Sequence, residues 1–170
     1  MNDLRRLVRD VPDFPRAGIV FKDITPLLLD PNGLSAAIEL MSQRFPRPGA
    51  VVAIESRGFV FGTGLALRWK VPLIPARKFG KLPRKTVREV YSLEYGEDTL
   101  EIHADAVQSG QRVLLIDDLL ATGGTMKACC ELVEKLGVNI VGVAVLIELA
   151  GLAGRQKLAQ WPVHCVLSYD

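Results

Sequence analysis

Asp117 and Asp118 stand side by side where an apolar run, Val113 to Ile116, gives way to Leu-Leu-Ala-Thr-Gly-Gly-Thr. Adjacent carboxylates suit the neighbouring hydroxyls of a sugar, and they are costly to place at the edge of a core without a ligand. The turn behind them, Ala121, Thr122, Gly123, Gly124 and Thr125, precedes a helix-forming stretch from Met126 to Leu136. The first backbone N–H groups of a helix lack partners of their own and, with two threonine hydroxyls, can hold a phosphate. Gly123 and Gly124 let the backbone come close to it. Strand, carboxylate pair, anion cradle and helix together describe a site for phosphorylated ribose.

A second anion site is written at Glu55-Ser56-Arg57-Gly58, directly after the apolar run Ala50 to Ile54 and at the start of another helical stretch. Its backbone amides and the guanidinium fork of Arg57 suit a phosphate group. A basic segment follows at Arg77, Lys78, Lys81, Arg84, Lys85 and Arg88. Taken alone it reads as a solvated loop. Beside two anion sites it suits a multiply charged leaving group such as pyrophosphate.

The elements that must position these groups alternate along the chain. Leu4, Leu7, Val8 and Val11 follow helical spacing, which predicts a short amphipathic helix over 3–11, ended by Pro12 and Pro15. Residues 13–28 read as ordered but irregular. Asp30-Pro31 is an N-cap followed by proline at the first helical position, opening a helix that runs to about Phe45. Strands are predicted at 50–54, 71–76 and 138–149, a helix over 57–69, and a loop over 79–88. Val90 to Tyr95 and Thr99 to His103 read as two strands joined by a Gly-Glu-Asp turn. The helix after the cradle closes at Gly137, and a short polar helix over 151–160 precedes a strand from Val163 to Leu167. This alternation predicts an α/β fold, a mostly parallel sheet flanked by helices, with its ligand site at the carboxyl ends of the strands.

Composition narrows the classes. A length of 170 residues suits a single domain over 1–170. A net charge of +2 does not favour a nucleic-acid partner. The longest apolar run, Ile140 to Ile147, is too short to cross a bilayer, and the amino terminus lacks the apolar core of a secretory signal. Cys129 and Cys130 are helical neighbours pointing about 100° apart, which disfavours a disulfide. With Cys165 they read as reduced thiols of a cytoplasmic protein. Neither they nor His103 and His164 show metal-ligand spacing. The P-loop, dinucleotide and nucleophile-elbow motifs are missing.

RVLLIDDLLATGGT resembles the phosphoribosyl-diphosphate-binding motif of type I phosphoribosyltransferases. The likeness runs from about residue 11 to 168, with four motifs in the family order. It implies that fold, with an N-terminal hood over 1–28 and a flexible active-site loop over 79–96. It also implies transfer of a 5-phosphoribosyl group from 5-phospho-α-D-ribose 1-diphosphate to adenine, giving AMP and pyrophosphate. Another base, or a non-catalytic nucleotide-sensing regulator on this fold, stays open as an alternative. In the family the turn Glu55, Ser56, Arg57, Gly58 holds pyrophosphate and contains a non-proline cis peptide. RKFGKLPR, with Arg77, Lys78 and Lys81, resembles the start of the mobile loop, although Phe79 stands where proline or a basic residue is usual. YSLEYG places Glu94 to handle the purine proton and Tyr95 to line the closed site.

The segment DFPRAGIVFKDITPLL resembles the hood. There the carbonyl of Val20 accepts from the exocyclic amine, the amide of Lys22 reaches a ring nitrogen, and Phe21 stacks on the base. Ala17 and Lys22 stand where the family often has proline and arginine. The resemblance assigns Asp117 and Asp118 to ribose and to the cationic transition state, and residues 121–125 to the 5′-phosphate. Mg²⁺ is expected to be held mainly through the substrate, and the chain is expected to form a homodimer.

Overall fold

Charge pairing shapes the amino-terminal part of the chain. The computed structural model describes residues 4–93 and 96–170, and the chain divides into compact units Met1–Leu40 and Met41–Asp170. Within the first, the helix expected over 3–11 is replaced by a 3₁₀ turn, Leu4–Leu7, and a strand, β1, Arg9–Pro12. β1 pairs antiparallel with β2, Val20–Asp23, setting Arg9 opposite Asp23 and Asp10 opposite Lys22. Both pairs close, at 2.6 and 2.7 Å, and a nine-residue helix is too short to compete with such cross-strand support. Asp23 also accepts the Thr25 amide at 2.9 Å, and that bond, followed by Arg9, lowers its pKa to about 2. The segment read as irregular thus contains β2 and a short helix, α1, Thr25–Leu29. Helix α2, Pro31–Ser42, starts as predicted: Asp30 Oδ1 accepts the amides of Asn32 and Gly33 at 2.9 and 3.0 Å.

The second unit holds a seven-stranded sheet. Its strands are β3 (Ala50–Ile54), β4 (Leu73–Lys78), β5 (Thr86–Leu93), β6 (Gly96–His103), β7 (Arg112–Leu120), β8 (Asn139–Leu149) and β9 (Val163–Tyr169), in the order β5-β6-β4-β3-β7-β8-β9. The five strands from β4 to β9 pair parallel; β6 and β5 join antiparallel. All five residues of β3 are buried, as a strand covered on both faces requires. Alternate side chains serve the two faces. Ala50, Val52 and Ile54 join a core with Met126, Cys129, Leu132 and Val133 of α4, Gly124–Glu134. Val51 and Ala53 meet Gly62 of α3, Gly58–Trp69. Among the described residues no helix is long and apolar enough to cross a membrane.

Several predicted boundaries move: the loop expected over 79–88 gives way to β5 at Thr86, and α2 ends at Ser42 rather than about Phe45. β4 begins at Leu73, after Pro72, rather than at Val71. Gly96, Glu97 and Asp98 lie inside β6, with Leu93 opposite Gly96, so the turn placed there is strand. The helix expected over 151–160 is two 3₁₀ turns, Ala150–Leu152 and Gly154–Leu158. β7 also runs through the acid pair to Leu120, held by β8 at Asp117, Leu119 and Leu120.

Candidate active site

β3 and β7 are parallel neighbours, with Ala53 opposite Ile116, so the turns that follow them open on one side. Together they line a cavity of about 370 Å³ bounded by residues 54–57, Lys78 and residues 117–126. Glu55, Ser56, Arg57, Asp117, Asp118 and the whole stretch Ala121 to Thr125 therefore meet in one place. Gly58 sits just behind: a β-carbon there would lie 3.0 Å from Asp117 Oδ1 and from the Ile116 carbonyl, a tight fit that a larger residue could take only if its neighbours shifted.

The cradle is shaped by backbone. Gly123 takes a left-handed conformation, φ +76°, at the N-cap of α4. A β-carbon there would meet the Gly154 carbonyl oxygen at 2.4 Å. The first intrahelical bond of the turn is Lys127 N–H to Gly123 O at 2.9 Å, so the amides before it have no partner within the helix. Behind the cradle, buried Glu148 accepts two bonds from Arg155, at 2.9 and 2.5 Å, and Arg155 also donates to the Val163 carbonyl at 2.9 Å. That pair fixes the turn carrying Gly154.

The other turn is built around charge. The Glu55–Ser56 peptide is cis, as the resemblance implies. Arg57 Nε lies 3.0 Å from Asp118 Oδ2. Arg77 Nε donates to Glu55 Oε2 at 2.5 Å and Nη1 to the Lys81 carbonyl at 3.2 Å. Burial raises the pKa of both acids. The charge of Asp118 raises Asp117 further, while Arg57 opposes the rise chiefly at Asp118. The result is a coupled, buried acid pair flanked by the Arg57 guanidinium. Such a pair can accept sugar hydroxyls and favour positive charge on the ring carbon between the two anion sites.

Arg77 and Lys81 do not line this cavity, and Val20, Phe21 and Lys22 lie on β2, where Lys22 is engaged by Asp10. Glu94 and Tyr95 lie outside the described residues. Three residues that the sequence did not single out are prominent. Glu101, 1% exposed, accepts the amides of Lys81 and Leu82 at 3.1 and 3.2 Å and the Thr86 hydroxyl at 3.1 Å, organising the basic segment. Burial works against its charge, but these bonds outweigh it and lower its pKa. Tyr91 and Asp98 reach Lys78 at the cavity wall. They become visible only once the β5–β6 register is known. Phe79, anomalous in sequence, lies under the Arg88 guanidinium, 4.4 Å from its ring centre.

Residues 25–167 match the model of the phosphoribosyl transferase domain. The chain belongs to the phosphoribosyltransferase family. Its relatives within that family include adenine phosphoribosyltransferases. It is 52% identical over 167 residues to the one from Solidesulfovibrio magneticus, covering 97% of this chain and 98% of that one. The crystal structure of the Rhodothermus marinus adenine phosphoribosyltransferase superposes with a TM-score of 0.90 at 50% identity, covering 98% of this chain and 96% of the other. The Saccharomyces cerevisiae enzyme, solved with adenine and an imino-altritol bisphosphate, gives 0.91 at 38% identity, covering 97% of each.

Proposed function

We propose that the chain transfers the 5-phosphoribosyl group of 5-phospho-α-D-ribose 1-diphosphate to adenine, releasing AMP and pyrophosphate as a purine-salvage step. The reading rests on one observation above all: the acid pair and both anion turns open into a single cavity at the ends of β3 and β7. A ring nitrogen of adenine bonds to the anomeric carbon as its bond to the diphosphate oxygen breaks. Residues 121–125 anchor the 5′-phosphate, so binding energy far from the reacting carbon positions it. Asp117 and Asp118 hold the ribose hydroxyls and favour the cationic ring. Arg57 and Lys78 take up charge on the departing pyrophosphate, joined by Arg77 and Lys81 when the 79–96 segment closes.

Val20, Phe21 and Lys22 are assigned to the base, Val20 through its carbonyl, which a 6-oxo purine would repel. Glu94 is assigned to the purine proton and Tyr95 to the closed site. Among the described residues no cluster of His, Cys, Asp and Glu is arranged to hold a metal ion. By the family resemblance Mg²⁺ would be held mainly through the donor, where it would help neutralise the leaving group. The three free thiols fit a reducing cytoplasm. The resemblance also implies a homodimer, which sedimentation would detect at twice the chain mass.

The decisive experiment is a magnesium-dependent assay with adenine, hypoxanthine, guanine, xanthine and orotate. Adenine alone should yield a nucleotide; product from another base in its place, or from none, overturns the reading. Glu94→Gln should then lower kcat by roughly 10²–10⁴ with donor affinity unchanged.

A further inference from the structure

Tyr91 and Asp98 are directly opposed in the β5–β6 ladder, and both turn to Lys78 at the end of β4. The Lys78 ammonium donates to the Asp98 carboxylate and to the Tyr91 hydroxyl. Tyr91 donates in turn to Asp98 Oδ2 at 3.2 Å and accepts from Thr125 Oγ1 at 3.4 Å. Asp98 Oδ1 also accepts the Thr99 amide at 2.7 Å. A phenol has one donor and two acceptor positions, so the Tyr91 hydroxyl is fully used. An ammonium has three donors, and this knot takes two. Lys78 is also one of the residues that line the cavity. Burial works against the Lys78 charge, but its bonds to Asp98 and Tyr91 outweigh that and raise its pKa.

The knot therefore ties three elements together: β4 through Lys78, the β5–β6 hairpin through Tyr91 and Asp98, and the phosphate cradle through Thr125. A lysine left to itself explores many rotamers and must be frozen when a ligand arrives. Here its position is set beforehand, by groups that do not themselves need to touch the ligand. The opposing effect is charge: a carboxylate beside the ammonium weakens its pull on an anion. The two effects predict opposite outcomes when Asp98 is neutralised, so experiment separates them.

We propose that Tyr91 and Asp98 are positioning residues that hold Lys78 for an anionic oxygen of the phosphoribosyl donor. This rests on the transferase reading given above. The test is calorimetric titration of the intact protein with 5-phospho-α-D-ribose 1-diphosphate and Mg²⁺, without base, beside steady-state kinetics. Asp98→Asn and Tyr91→Phe should each weaken donor binding roughly 3–20-fold while the adenine KM stays within about twofold. In a Lys78→Met background the same substitutions should cause no further loss, because residues acting through one partner are not additive. Donor binding unchanged or tighter in Asp98→Asn overturns the proposal, as does a full further loss in the Lys78→Met background. Should Tyr91→Phe fail to fold, Asp98→Asn, which keeps the side-chain shape, carries the test alone. A wild-type chain that does not bind the donor at all would refute the transferase reading instead.

Discussion

Two turns at the ends of adjacent strands face one cavity, yet they are built from different materials. The turn after β7 has no lysine or arginine between Leu119 and Met126; its donors are amides and threonine hydroxyls, fixed by Gly123 against Gly154. The turn after β3 carries Arg57, and Lys78 stands on the next strand. Fixed neutral donors select by shape and are little affected by salt, whereas cationic side chains act through charge and are screened. The proposed reaction needs both kinds. The 5′-phosphate keeps its charge throughout and has only to be held in place. The pyrophosphate gains charge as its bond breaks, and cations matter there.

Substitutions can break that contrast. Gly123→Ala puts a methyl into the Gly154 carbonyl and a side chain at a left-handed φ; a misplaced cradle should lower kcat/KM by roughly 10², and a loss below fivefold would show that backbone placement is not what matters. Arg57→Gln should weaken pyrophosphate binding about 10–100-fold and flatten its dependence on NaCl, with ribose 5-phosphate affinity nearly unchanged. Equal losses for both ligands would erase the distinction between the turns. Thr122→Val and Thr125→Val should each cost about tenfold in AMP affinity, and calorimetry at low and high salt should give the same ratio. The smallest effect concerns the acid between the turns. Because burial and the charge of Asp118 raise the folded-state pKa of Asp117, its carboxyl favours the fold only while protonated, and that contribution is lost as pH rises through the raised value. Asp117→Asn should therefore increase Tm at pH 8 by about 2–4 °C, with a smaller gain at pH 5, while impairing AMP formation. A Tm shift that does not vary with pH would contradict the buried repulsion.

The strands that carry the site were readable because their signal is local. Ala50–Ile54 and Val113–Ile116 are unbroken apolar runs, and each ends in residues that suit an anion. Where the deciding interactions are distant in sequence, local pattern misleads or says nothing. Leu4 to Val11 has helical spacing, but Arg9 and Asp10 find partners on β2 that no periodicity announces. Gly96-Glu97-Asp98 looks like a turn and pairs as a strand, so sequence alone does not show that Tyr91 and Asp98 are neighbours. Glu101 reads as an ordinary strand residue; only its burial at 1% exposure reveals that it gathers the basic segment. The resemblance supplied what local pattern could not, including the cis peptide after β3.

The Gly123–Gly154 contact limits how portable the phosphate motif is. Residues 112–125 transplanted into another parallel sheet would bring every donor but leave behind the floor that keeps them in shape. That floor comes from the turn Gly154–Leu158, braced by Arg155 on Glu148. A functional graft would need both pieces, some thirty positions apart in the chain, meeting backbone to backbone.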